Sequence, residues 1–551
     1  MEAVRQAQAA QDWGRAARLL AEHWAGLWLD GQAATIHELL AGFPAAARAA
    51  DAELAAVAAA DELAQGSLEA AERYLALAER GLEAVFGSAS VPSGRRGQAQ
   101  ILLGVVRLLL AWYRGDLPAE AEQARRLSAL FEAQAAAQYD PAPAAGEGPR
   151  ASGARPVSEE LRALALIGLG DTEIWAGRLD LAEPHMERAV ALARRIERPY
   201  LEYIGLAYQA VGELSRSFPR AAERGRQAIE LAERHGWTDE TTAGLAYMAL
   251  GSALAWQGRA EEAEPWVQRA ERTVRPEISP VSAMGVQYVR GQVELVCGRA
   301  ADAVTAFRAA ERLAGQLPAP HPLAWPIRAW LVHALVRLDD PEQVLADLGE
   351  RVRDRGEIRI AVAVLRLAQD NPHAVTEALT PVLDGSARVG WRSWLVEAFL
   401  LEAIARDALG DPSAAGRAVE RALDLAEADG ALSWFLLHPA PDLLVRQARE
   451  GTAHAALIAE IVGLLSGNTP ASRGAGPRPL LDPLSKSELR VLRYLPTHLS
   501  APEIADELSV STSTVKTHLR NLYAKLGTHS RTEAVESARA LGLLAPSAPR
   551  R

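Results

Sequence analysis

Cysteine is all but missing from this chain of 551 residues: Cys297 stands alone, so no intrachain disulfide can form and a reducing compartment suits the protein. Lysine is nearly as scarce. The three that occur, Lys486, Lys516 and Lys525, all lie near the C-terminus, and none follows a glycine. A phosphate-binding loop of the Walker A kind needs that Gly-Lys pair and is therefore excluded. H-E-x-x-H and G-x-S-x-G are absent as well, and no alternation of strands and helices signals an α/β receiver or ligand-binding domain. No apolar run approaches the length of a membrane span, and the opening MEAVRQAQAAQDWGR lacks the core of a signal peptide. The expectation is a soluble cytoplasmic protein that is not an enzyme, holds no cofactor or metal and does not meet the membrane.

What the chain has in abundance is alanine and leucine at helical spacing, and a recurring frame. Gly251, Gly258, Ala263, Val267 and Ala270 are matched by Gly291, Gly298, Ala303, Phe307 and Ala310, and by Gly170, Gly177, Ala182, Met186 and Ala189. Partial copies occur at Gly66, Ala71, Leu75, Ala78 and at Gly410, Ala415, Val419, Ala422. The steps from Ala182 to Ala221, Ala263 and Ala303 are 39, 42 and 40 residues, enough for two helices and a turn. Small residues let two antiparallel helices approach closely, and the apolar one is expected to fill the gap to the next pair. This resembles tetratricopeptide-type repeats with a lengthened period. The array should cover residues 1–465, interrupted by a mobile Pro- and Gly-rich loop at 141–156 and followed by a flexible linker at 466–483. Trp175 and Trp256, each two residues before the second glycine of a frame, are expected to pack between helices, although aromatic faces can also hold ligands.

Residues 484–548 read as a separate unit. Ser485 with Glu488, Ser500 with Glu503 and Ser530 with Glu533 each form an S-x-x-E capping box, marking three helix starts, and Ser511 supplies an N-cap for a fourth. Gly527 is a natural stop after Leu526. On the helix from Thr512, Val515, Leu519, Leu522 and Leu526 form one apolar stripe, while Ser513, Thr517, Arg520 and Ala524 point the opposite way. No acidic residue lies between Leu508 and Thr532, so that outer face offers only cations and hydrogen-bonding groups, as phosphates and base edges require. Residues 501–520 then form a helix-turn-helix. From Leu484 onward ten Lys or Arg face six acids, a net of +4; with the whole chain at -11, residues 1–483 carry -15, and so acidic a body repels DNA. Zinc at His498, His518 and His529 matches no ligand spacing.

The segments LSKSE from Leu484, EIADEL from Glu503, TVKTHLRN from Thr514, KLG from Lys525, and Arg531 together resemble the LuxR-type DNA-binding domain. Ser487 stands where that family usually has Arg, and His498 where Gly is common, which bears on local packing more than on the recognition face. The resemblance implies that Lys516, Thr517 and Arg520 approach bases, while Ser511, Thr512, Thr514, His518, Asn521, Lys525 and Arg531 hold the phosphates or the register. It also implies that a last helix, 531–541, pairs two copies on double-stranded promoter DNA as a homodimer. A helical array ahead of such a unit resembles the C-terminal part of MalT-like large activators. Their ATPase domain is not among these residues, so the ATP-driven switch is not carried over, and the chain is either a naturally short regulator or the product of a start set too late. The expected fold class is all-α, a tetratricopeptide-like solenoid followed by a four-helix LuxR-type domain. The expected function is transcriptional regulation, by activation through contact with RNA polymerase, under an unknown small-molecule or protein effector bound by the solenoid. The alternative is an interaction scaffold in which DNA contact is secondary.

Overall fold

The computed structural model describes residues 1–86, 93–138, 157–338, 355–466 and, with short gaps, 486–535. The loop 141–156, nearly all of the linker 466–483, the caps at Ser485 and Ser530, and most of the last helix 531–541 lie outside those residues. Among the described residues every regular element is an α-helix, the all-α architecture implied by the sequence, and the chain divides into two compact units, Met1–Thr469 and Pro470–Arg551.

In the larger unit the helices come in pairs. Val157–Trp175 packs on Leu179–Arg195, Pro199–Glu213 on Phe218–His235, Thr241–Trp256 on Ala260–Thr273, Pro280–Val296 on Ala300–Ala314, and Trp394–Ala408 on Pro412–Asp429. The first helices of successive pairs also touch one another, which gives two layers with different sequence demands. Thr241–Trp256, TTAGLAYMALGSALAW, carries no charge and is buried at every position from Thr242 to Trp256. Its partner Ala260–Thr273 buries only Ala263, Val267 and Ala270, a narrow stripe at helical spacing, and offers Glu and Arg elsewhere.

The repeated frame has a steric cause. A Cβ placed on Gly170, Gly251 or Gly291 would lie 2.8, 2.6 or 2.5 Å from Met186, Val267 or Phe307 respectively. The apolar residue of the frame therefore sits over the first glycine of its own pair, where the sequence suggested a gap to the next pair. Phe307 does both, stacking on Trp330 of the following helix with ring centroids 6.2 Å apart. The second glycine turns the chain between the two helices: Gly177, Gly258 and Gly298 have φ of +72°, +75° and +76°, a region that a side chain disfavours. Partial copies end the same way, with φ of +80° at Gly66 and +77° at Gly410.

One feature departs from a simple repeat array, in which each unit meets only its neighbours. The short helix Ser433–Leu437 packs against Thr241–Trp256, Pro280–Val296 and Trp394–Ala408. Its anchors are polar: Leu432 N donates to Trp256 O at 2.9 Å, Ser433 Oγ to Ala255 O at 2.6 Å, and Arg337 Nη2 to Leu437 O at 2.8 Å. Trp434 thereby enters a cluster with Trp256, Trp330 and Trp394, at centroid distances of 4.6, 5.2 and 5.5 Å. Trp256 thus serves packing, as its repeat position suggested.

Candidate nucleic-acid interface

The described residues of the smaller unit hold three helices, Lys486–Leu492, Ala501–Leu508 and Thr512–Leu526, the third resting on the other two. Val491, Ile504, Ala505 and Val515 form its core, with Tyr494, Leu499, Leu508 and Leu519 packed around them. Val515 and Leu522 are wholly buried and Leu519 half-buried, so the stripe read from the sequence is the face turned inward. At the start of Ala501–Leu508, Glu503 accepts from both the amide and the hydroxyl of Ser500, at 2.7 and 2.6 Å; these bonds hold the Glu503 carboxyl below its ordinary range. Ser511 caps the third helix, its Oγ accepting from Thr514 N at 3.1 Å and lying 2.7 Å from both the Ser513 and Thr514 hydroxyls. The turn between the two helices is closed by Val510 N donating to Ala505 O at 3.0 Å.

The candidate contact residues separate into two sets. Lys516, Thr517 and Arg520 are exposed, as are Ser511 and Ser513, and Thr512, Thr514 and His518 are half-buried beside them. Thr517 Oγ1 donates to Ser513 O at 3.0 Å, which leaves its lone pairs outward. Asn521 belongs to the same helix, but its side chain lies outside the described residues. Lys525 and Arg531 point inward instead. Lys525 Nζ lies 3.1 Å from Glu488 Oε2, a carboxyl 4% exposed, and the Arg531 guanidinium donates to the carbonyls of Leu495, Leu499 and Tyr494 at 2.9, 2.6 and 3.0 Å. Both side chains therefore tie the third helix and its C-terminal flank to the first helix and the loop after it. Glu488 was named only as a cap in the sequence; no spacing rule links it to a lysine 37 residues away.

In the larger unit, two further groups bear on ligands. Trp175, Trp256, Trp330, Trp391, Trp394 and Trp434 line a small cavity of about 60 Å³ with no charged side chain in its wall. One turn along from three of its tryptophans, His333 and His438 both place Nε2 at 2.7 Å from the same oxygen of Glu397. The three are buried, and their atoms are close enough to suggest metal ligation. However, 2.7 Å is a hydrogen-bond distance, His333 Nδ1 is committed to Ala329 O, and the Glu397 charge already acts on the Arg337 guanidinium. Burial alone would raise the Glu397 carboxyl, yet His333 and His438 outweigh it and hold the group at about 2. One Glu397 oxygen thus serves both imidazoles, while its other oxygen, Oε2, is buried without a hydrogen-bond partner.

Residues 150–445 match the sequence family described as MalT-like TPR region, and residues 482–538 match the luxR family of bacterial regulatory proteins. Over 59 residues the chain is 48% identical to the HTH-type transcriptional regulator MalT of Yersinia pestis (strain Pestoides F), a segment covering 11% of this chain and 6% of that protein. Over 61 residues it is 46% identical to the Fimbriae Z protein of Escherichia coli (strain K12), covering 11% of this chain and 29% of that one. Among solved structures, yeast Tom70 aligns with a TM-score of 0.35 at 12% identity, over 81% of this chain and 96% of that chain. Because the first family takes in more than half of its residues, the chain belongs to the MalT-like TPR region family.

Proposed function

We propose that this chain is a DNA-binding transcriptional regulator in which the Thr512–Leu526 helix enters the major groove of promoter DNA. The carrying observation is the exposed row of Lys516, Thr517 and Arg520 on a helix whose opposite face is sealed into a core, in a segment free of acidic residues. Arg520 has the planar fork that reads guanine, and Lys516, which the resemblance placed near bases, supplies its charge toward the phosphate backbone beside it. Ser511, Thr512, Thr514, His518 and Asn521 lie where phosphate oxygens would pass. Lys525 and Arg531 act from within, by holding the recognition helix in register. Two copies pair through residues 531–541 on adjacent half-sites, and the chain works in the cytoplasm as an activator in contact with RNA polymerase. The helical array senses an effector whose binding changes dimerisation or the freedom of the DNA-binding unit.

Titration of the full chain against genomic DNA fragments at two salt concentrations tests the assignment. Arg520→Ala should weaken binding to the preferred site by about 1–3 kcal/mol and relax its sequence preference, whereas Lys516→Ala should lower the salt slope by about one. Equal, sequence-independent losses from both variants would refute the division of roles.

A further inference from the structure

The array ends in a helix, Ala455–Leu465, that packs on Ser433–Leu437 and Pro441–Glu450 and buries Leu457, Ile458 and Ile461. Its far end rests on an earlier turn of the array: a Cβ added at Gly258 would come within 2.7 Å of Leu464. Residues 466–483 then lead to the DNA-binding unit. The near end is fastened by His454, the N-cap residue, whose ring is only 8% exposed. Both ring nitrogens face carboxylates of Pro412–Asp429. Nδ1 lies 2.7 Å from Glu427 Oε2, while Nε2 lies 3.0 Å from Asp424 Oδ1 and 3.7 Å from Glu420 Oε2.

A count of protons fixes the charge of this ring. A neutral imidazole donates from one nitrogen and presents a lone pair at the other, and that lone pair is repelled by an ionised carboxylate. Both close contacts become hydrogen bonds when the ring is an imidazolium. The other charged groups nearby are engaged elsewhere or turned to solvent. Asp424 also meets Arg421 at 3.3 Å, Glu420 accepts from Gln447 Nε2 at 2.7 Å, and Arg446 is paired with Asp407. Asp442, Arg449 and Glu450 on the preceding helix and Glu460 on the last one are exposed, and Ser433–Leu437 carries no charge. Burial of the ring opposes its charge, as does the positive end of the helix it starts. The bonds to Asp424 and Glu427 and the charge of Glu420 outweigh that, and raise His454 above its ordinary range.

We propose that His454 is a proton-operated latch: as an imidazolium it clamps Ala455–Leu465 to Pro412–Asp429, and its deprotonation loosens that helix so that its residues join the linker. A longer tether gives the DNA-binding unit a wider reach. Because the folded-state value lies above the ordinary 6.5, the latch is fully closed below 6.5 and is lost as pH rises through the raised value. The proposal deepens the regulatory role given above and rests on it only for the effect on DNA.

Hydrogen exchange of the full chain, read by mass spectrometry on peptides covering residues 455–465, tests it. After allowance for the intrinsic rate, protection there should fall about fivefold or more between pH 6 and pH 9, while that of Thr241–Trp256 holds. His454→Gln should show the low protection at both pH values. Glu427→Gln, a change at an exposed carboxyl, should move the midpoint of the loss to lower pH and serves as the second variant should the first not fold. Protection of 455–465 that does not change with pH in the wild-type chain, a loss spread equally over the whole array, or a wild-type pH profile in either folded variant would overturn the proposal. Equal promoter affinity of the wild-type chain and His454→Gln at pH 6, with the exchange results as expected, would instead overturn the link to DNA and leave the latch intact.

Discussion

Two helices of nearly equal length show how differently one chain treats its polar groups. Thr241–Trp256 is apolar on every side and buried throughout, so the charged residues around it must find partners within the array. Thr512–Leu526 buries one stripe and turns Lys516, Thr517 and Arg520 outward, leaving its cations available to a partner outside the chain. In the first setting a charge matters for stability, in the second it is available for the recognition proposed above. The same residue type changes role accordingly: Arg337 and Arg531 hold backbone carbonyls, while Arg520 is exposed.

The comparison is broken most severely at Glu397. Replacing it by leucine removes the acceptor shared by His333 and His438 and should cost the larger unit about 3–5 kcal/mol, read from urea unfolding. The intact network also sets an acid limit. Because the folded-state value lies at about 2, below the ordinary 4.5, its contribution is full above the unfolded value and is lost as pH falls from about 4.5 toward 2. Arg531→Ala, which leaves the carbonyls of Tyr494, Leu495 and Leu499 without that donor, should cost the smaller unit about 2–3 kcal/mol and leave the larger one unchanged. A single unfolding transition shifted as a whole would contradict their independence. Gly291→Ala places a Cβ against the buried Phe307 ring, which is held between Tyr288 and Trp330, and should cost about 1–3 kcal/mol by the same measurement. The smallest effect has the opposite sign. Asp171, raised from 3.8 to about 7 by burial, keeps a proton in the folded chain that the unfolded chain has lost, so stability declines as pH rises from about 4 to 7. Asp171→Asn should flatten that decline and raise the urea midpoint at pH 8; an unchanged pH profile would show that the carboxyl is ionised throughout.

Periodicity made much of this legible. The stripe from Val515 to Leu522, the cap at Ser511, the Ser500 and Glu503 contact and the Gly-Gly-Ala frame depend on neighbours within one or two turns, or on a repeat, and a sequence displays both. The parts that were not legible join residues far apart. Lys525 meets Glu488, Glu397 meets a histidine 64 residues before it and another 41 residues after it, and Glu120 meets Asp171; only the packing of separate helices decides such pairs. For Lys525 and Arg531 the resemblance left phosphate contact and register both open, and their bonds to Glu488 and to the carbonyls of Tyr494, Leu495 and Leu499 could not be read from spacing. The placement of the apolar frame residue over its own glycine was missed because spacing gives no direction across a helix pair.

The clasp at Leu432 and Ser433 has a consequence for the order of events during synthesis. The backbone of Ala255 and Trp256 emerges from the ribosome long before residues 432–434, the groups that bond to it and complete the tryptophan cluster. Helix pairs can form as they emerge, but the face that Trp434 covers stays open until some 175 further residues have been made, a contact of high sequence separation that slows the final step. The nascent array is therefore at its most vulnerable to proteases and to aggregation in the interval before its tail returns.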